Sequence, residues 1–152
     1  MIHRTCIAAA ALAAGLAASG SAFAQAEPGT GQAFFDKSCA ACHQPGGKGL
    51  AGLAPALADA LGPLLAQEEG RQYLAQVMVN GLSGRIVSQK QVFNLAMPPQ
   101  GTFSDAELAE AARYVASLNG SSVKFGPEDI ARARSSALTH KQLRELRERL
   151  LK

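Results

Sequence analysis

The sequence predicts an all-α domain followed by a C-terminal helical extension, and three observations carry that prediction. Apolar residues recur at helical spacing in several segments that open and close on recognisable helix signals. No series of alternating strands competes with them. The 152-residue chain is only 5% aromatic, and residues 30 to 120 are rich in alanine and glycine, so a helical shell there has few large side chains to fill its centre. A large, flat, apolar group held in the middle would complete such a core.

Residues 1–24 read as an export signal. Ile7 to Ala18 is apolar throughout except for Gly15, and Ala22-Phe23-Ala24 supplies the small residues of a cleavage site. Cleavage there makes Gln25 the first mature residue and leaves two cysteines, two methionines and two histidines. The apolar run is shorter than the roughly 20 residues of a spanning helix, and no later stretch approaches that length. The expected location of the mature chain is therefore the periplasm, as a soluble protein without a transmembrane span.

The first mature helix is expected over about Gly31 to Ala40, with Thr30 as its cap and Phe34 and Phe35 as its apolar contribution. Residues 44 to 56, rich in Gly and Pro, form a long loop, and a short helical turn follows within 57–65. A firmer helix runs from Glu68 to Val79, with Tyr73, Val77 and either Leu74 or Met78 at helical spacing, and stops at Asn80-Gly81. Ile86-Val87 and Val92-Phe93 flank a polar stretch that suits a small hairpin, and Met97-Pro98-Pro99 must be extended.

Ser104 with Glu107 forms a capping box. The helix it opens carries Leu108, Ala111, Ala112, Val115 and Leu118 on one stripe and ends at Asn119-Gly120. Beyond a polar link, Pro127 sits in the first turn of a short helix near 128–136. Thr139 and Gln142 repeat the capping-box pattern before a last helix with Leu143, Leu146, Leu150 and Leu151 on its apolar side and Glu145 and Arg149 one turn apart. The domain limits expected are 25–120 and 121–152.

Charge is unevenly placed. Residues 25–120 hold 6 basic and 8 acidic side chains, whereas 121–152 hold 8 basic and 4 acidic. The basic tail is expected to be an ordinary solvated helix face, its leucines docking on their own domain; the competing reading is a helix that binds a partner. With so small a net charge and no basic run interleaved with aromatics, nucleic-acid binding is excluded.

Cys39-Ala40-Ala41-Cys42-His43 is the strongest chemical signal in the chain. Two thiols three positions apart can add to two vinyl groups on one porphyrin edge, and the next residue, His43, then supplies an axial nitrogen to the iron. A thioredoxin-like dithiol belongs at a strand-to-helix junction, which is absent, and a structural zinc site needs two more ligands. One covalently attached haem c is thus the expected cofactor, through Cys39 and Cys42. For the sixth iron position the candidates are Met97, in its proline-restricted segment, Met78, in a helix where methionine usually packs, and His140. Met97 is favoured, and the expected metal ligands are His43 and Met97. No second constellation for substrate chemistry is present, and His140 beside Lys141 is no triad.

With these residues in place, the chain resembles the small class I c-type cytochromes over roughly residues 29 to 120. Gly31, Phe35, Cys39, Cys42 and His43 match that family's N-terminal pattern, Tyr114 its aromatic position near the crossing of N- and C-terminal helices, and Met97-Pro98 its distal-ligand region. Pro55 matches the proline whose carbonyl accepts the second N–H of the proximal histidine. The resemblance implies a cytochrome c-like fold and a single-electron carrier rather than an enzyme. Its implied partners are redox proteins: a periplasmic dehydrogenase as donor, and an oxidase or another cytochrome as acceptor. Residues 82–96 and 121–152 depart from the simplest members. They suit a first alternative, a cytochrome subunit lastingly bound to a dehydrogenase; a second alternative, independent of them, is a ligand-binding or enzymatic haem protein with an open sixth position.

Overall fold

The computed structural model describes residues 30–152, so the expected export signal at 1–24 lies outside the described residues. Seven α-helices follow one another: α1 Thr30–Ser38, α2 Ala40–His43, α3 Gly62–Leu65, α4 Glu68–Asn80, α5 Asp105–Ser117, α6 Pro127–Ser135 and α7 His140–Leu150. Two three-residue strands, β1 Ile86–Ser88 and β2 Gln91–Phe93, pair antiparallel with Val87 opposite Val92. The all-α prediction is correct, and the hairpin falls where its two apolar pairs placed it. Among the described residues no helix is long and apolar enough to cross a membrane.

The fold hangs on the crossing of α1 and α5. Gly31 is buried there, and a β-carbon at that position would lie 2.4 Å from the Glu110 carbonyl oxygen and 3.2 Å from Tyr114 Cβ. Only a residue without a side chain lets the two backbones come this close. The aromatic rings then close the contact on both sides. Phe35 lies 5.2 Å from Tyr114, and Phe34 meets Phe103 edge-on at 5.0 Å, both within the favourable range for ring pairs. The inner face of α5 is small: Ala109, Ala111, Ala112 and Ala116 are fully buried beside Leu108 and Val115.

Both capping boxes form as the sequence predicted. The Ser104 hydroxyl accepts from Glu107 N at 3.3 Å while Ser104 N donates to the Glu107 carboxylate at 2.8 Å. Thr139 and Gln142 repeat the exchange at 3.3 and 2.9 Å. Leu143, Leu146 and Leu150 are buried, so the last helix docks on its own domain, against α3 and α4. Buried Gln76 of α4 fixes the α6–α7 link, donating to the Ser136 carbonyl at 2.8 Å and accepting from Leu138 N at 3.1 Å.

Four expectations need correction. The first helix does not run through to Ala40: it breaks at Cys39 (φ −117°, ψ −30°), and Ala40–His43 makes a helical turn of its own. Leu151 is exposed, because the helix has ended before it. Glu145 pairs with Lys141 at 3.7 Å, not with Arg149. Nor is the basic tail simply a solvated face. Arg134 binds Asp105 and the carbonyls of Gly101 and Phe103, each at 2.6 Å, and Arg144 donates to the Ser83 carbonyl. Long basic side chains thus serve as caps for a neighbouring loop that has little secondary structure to satisfy its own carbonyls.

Replacing Gly31 tests the crossing directly. Gly31→Val should destabilise the haem-loaded protein by at least about 1–3 kcal/mol, the usual cost of forcing atoms into a packed contact, as measured by denaturant unfolding.

Candidate functional site

The helix crossing leaves a cavity of about 250 Å³ between α1–α2 on one side and the segment before α5 on the other. Cys39, Cys42, His43, Pro55 and Met97 all line it. The five residues singled out from the sequence are therefore gathered around one space. Leu57, Leu61, Leu74, Leu82 and Phe93 add to a lining that is overwhelmingly apolar.

Residues 39–43 form a single helical turn, in which His43 N donates to the Cys39 carbonyl at 3.0 Å. That turn sets both thiols and the imidazole on one wall of the cavity. Neither cysteine is in a disulfide; Cys39 is half-buried and Cys42 exposed. Burial pushes the Cys39 thiol above its usual range. After His43 the chain swings sharply away through Gln44, whose backbone (φ 60°, ψ 155°) lies in a region that residues other than glycine rarely occupy.

His43 is buried, and its Nδ1 donates to the Pro55 carbonyl at 3.0 Å. Because a carbonyl can only accept, the proton sits on Nδ1 and the lone pair on Nε2, the tautomer an axial ligand needs. Burial holds the pKa below the ordinary 6.5, with the Pro55 bond acting in the opposite direction, so the ring favours its neutral form. Pro55 is itself fixed in a loop folded back on itself: Leu57 N and Ala58 N both donate to the Gly47 carbonyl, at 2.8 and 3.0 Å, and Gly49 N donates to the His43 carbonyl at 2.8 Å.

Asn119 holds the far end of that loop. Its Oδ1 accepts from Ala60 N and Leu61 N at 3.0 and 2.7 Å, and its Nδ2 donates to the Leu57 and Val115 carbonyls, both at 2.8 Å. Every polar atom of the amide is used. From the sequence Asn119 is only a helix terminator; its second role needed the tertiary structure.

On the opposite wall, Met97 is held by an isolated antiparallel bridge. Leu82 N donates to the Met97 carbonyl at 3.0 Å and Met97 N to the Leu82 carbonyl at 2.8 Å. Gly81, directly before the bridge, has φ 72° and ψ −178°, and a β-carbon there would lie 2.4 Å from the Met97 carbonyl oxygen. Met78 also lines the cavity, from the buried face of α4, whereas His140 is exposed and does not.

This donor set fits a covalently attached porphyrin: two thiols and a neutral imidazole on one turn, and a methionine in the lining of the same apolar space. The comparisons with known proteins point the same way. A family model described as "Cytochrome C oxidase, cbb3-type, subunit III" matches residues 26–115. Cytochrome c-552 of Thermus thermophilus is 33% identical over 118 residues, covering 74% of this chain and 90% of that protein. A second cytochrome c-552 of the same species has the same identity and extent, covering 80% of its length.

The chain belongs to the c-type cytochromes. It is a haem-containing electron-transfer cytochrome, and its cofactor is covalent haem c with iron. The cavity of this cytochrome also holds Tyr73, which the sequence marks only as a residue of the helix core, and Arg147, which sequence reasoning passed over. Arg147 did leave a signal, since it interrupts the Leu143, Leu146, Leu150 stripe with a charge on the apolar side of α7. Arg71 and Arg85 do not line the cavity: Arg71 pairs with Glu68 and Arg85 is exposed.

Truncating Asn119 should release the loop behind His43. Asn119→Ala is expected to cost about 2–3 kcal/mol of stability, because it leaves buried backbone groups without partners. Thermal unfolding of the haem-loaded cytochrome checks this.

Proposed function

We propose that this cytochrome is a soluble monohaem electron carrier of the periplasm with His43 and Met97 as its iron ligands. In this reading it accepts single electrons from a periplasmic dehydrogenase and delivers them to an oxidase or another cytochrome. Residues 1–24 are the cleaved export signal, 25–120 the haem-binding domain and 121–152 its extension.

The observation that carries the ligand assignment is that His43 and Met97 line the same cavity, each clamped through an independent backbone contact. Pro55 sets the imidazole tautomer, and the Leu82 bridge fixes the methionine backbone. Haem c supplies a one-electron iron couple, and methionine sulfur opposite histidine favours its reduced state relative to two histidines. Ligands held this firmly need not move between oxidation states, which suits fast outer-sphere transfer. Leu53 and Leu95 line the cavity yet are exposed, at 40% and 53%, giving an apolar rim on which a partner can dock briefly. The free-carrier reading is favoured over a permanent dehydrogenase subunit because the extension spends its leucines on its own domain. An open sixth position is disfavoured by the restraint on Met97.

Spectroscopy separates these readings. The oxidised wild-type protein should show the near-infrared band of methionine-ligated haem, Met97→Ala should lose it and bind carbon monoxide when reduced, and Met78→Leu should keep it. A band that survives Met97→Ala would overturn the assignment. Gly81→Ala should weaken the same band without touching either ligand, since it forces a side chain against the Met97 carbonyl at a backbone cost of about 1–3 kcal/mol. Its extinction relative to wild type is the measure.

A further inference from the structure

Arg147 stands out in an otherwise apolar enclosure. It is 6% exposed, and no other Lys, Arg, Asp or Glu lines the haem cavity. Its Nη2 reaches the Val87 carbonyl only at 3.4 Å, and its Nε is buried with no hydrogen-bond partner. No ion pair among the described residues includes it. Tyr73 of α4 is its neutral hydrogen-bonding neighbour: burial raises that phenol's pKa, and the charge of the guanidinium and its hydrogen bond to the phenol work against the rise.

A guanidinium cannot shed its proton, so Arg147 is a buried positive charge without an anion. Such a charge is among the costliest things a fold can hold unless a partner compensates it. The other inward-turned arginines of the extension illustrate the contrast. Arg134 has a carboxylate and two carbonyls, and Arg144 has the Ser83 carbonyl. The group that fills this cavity carries two propionate carboxylates, the anion that Arg147 lacks.

We infer that Arg147 is the internal counter-ion of a haem propionate, supplied to the cavity by the C-terminal extension. The inference rests on the reading that the haem occupies this cavity from Cys39, Cys42 and His43. A charge-assisted bond from a guanidinium to a carboxylate is strong and directional, and it would satisfy the orphaned Nε–H. It also gives the extension a function. A fixed cation beside the ring disfavours the additional positive charge of ferric iron, so Arg147 holds the reduction potential up. Because the cation sits on α7, docking of α7 and seating of the haem reinforce each other.

The test uses the full haem-loaded cytochrome and the variants Arg147→Lys, Arg147→Gln and Arg147→Met. Expected are a lower reduction potential and displaced propionate carboxylate bands in redox-difference infrared spectra for Gln and Met, with Lys recovering part of both. If Met, which keeps the bulk and removes the charge, matches wild type in potential and carboxylate bands, Arg147 merely packs and the inference fails. A measurement on wild type guards against variants that do not fold. In the reduced, diamagnetic protein, nuclear Overhauser contacts should join the Arg147 side chain to a propionate methylene, and their absence overturns the assignment. Mass analysis of the haem peptide spanning 39–43 reports on occupancy separately. Without that peptide the cavity reading falls and takes this inference with it, whereas the peptide with no Arg147 contacts overturns this inference alone.

Discussion

The approach of Gly31 to the Glu110 carbonyl fixes where α1 and α5 cross, and each wall of the cavity is suspended from that crossing. From α1 the chain passes within one residue into the turn that holds Cys39, Cys42 and His43. At the other end of α5, Asn119 gathers the loop that carries Pro55 toward His43. The start of α5, set by the Ser104 box, receives the chain from Met97. A shift at the crossing would therefore be felt at His43 and at Met97 at once. Alanine on the inner side of α5 serves the same end, since small side chains leave room for a cofactor that supplies the missing volume.

The two walls are built by different means. The proximal wall is local: one helical turn and a loop pinned by backbone hydrogen bonds. The distal wall has only a bridge and a two-stranded hairpin, and most of its carbonyls have no ladder to join. The extension makes up that deficit from outside. Arg134 caps the Gly101 and Phe103 carbonyls, Arg144 that of Ser83 and Arg147 approaches that of Val87. The basic character of residues 121–152 is in this sense partly structural, with arginine chosen where several donors must reach in fixed directions.

Much of this was legible in the sequence because the signals were local. Ser104 with Glu107 and Thr139 with Gln142 declare helix starts within four residues, and the cysteine–histidine segment declares its chemistry within five. What stayed hidden depended on distant partners or on strain. The break at Cys39 shows no glycine or proline to announce it. The hairpin turn places Gln89 and Lys90 at φ 47° and 66°, where Asn-Gly is the usual choice, so its turn carries no sequence signature. The inward direction of Arg134, Arg144 and Arg147 follows from where α6 and α7 dock. Glu145 chose Lys141 over Arg149, and composition cannot rank two partners each one turn away.

The Leu82–Met97 bridge has a consequence for how this architecture can vary. It closes residues 83–96 at their base, so the segment behaves as a tied-off loop whose tip, at Gln89-Lys90, is separated from the bridge by the paired strands β1 and β2. Closure entropy grows only slowly with loop length, so residues inserted at the tip cost little and transmit little to the base. A chain built on this plan can thus lengthen its hairpin at the tip, or change the exposed Val87 and Val92, while Ile86, Ser88 and Phe93 keep their place in the cavity lining.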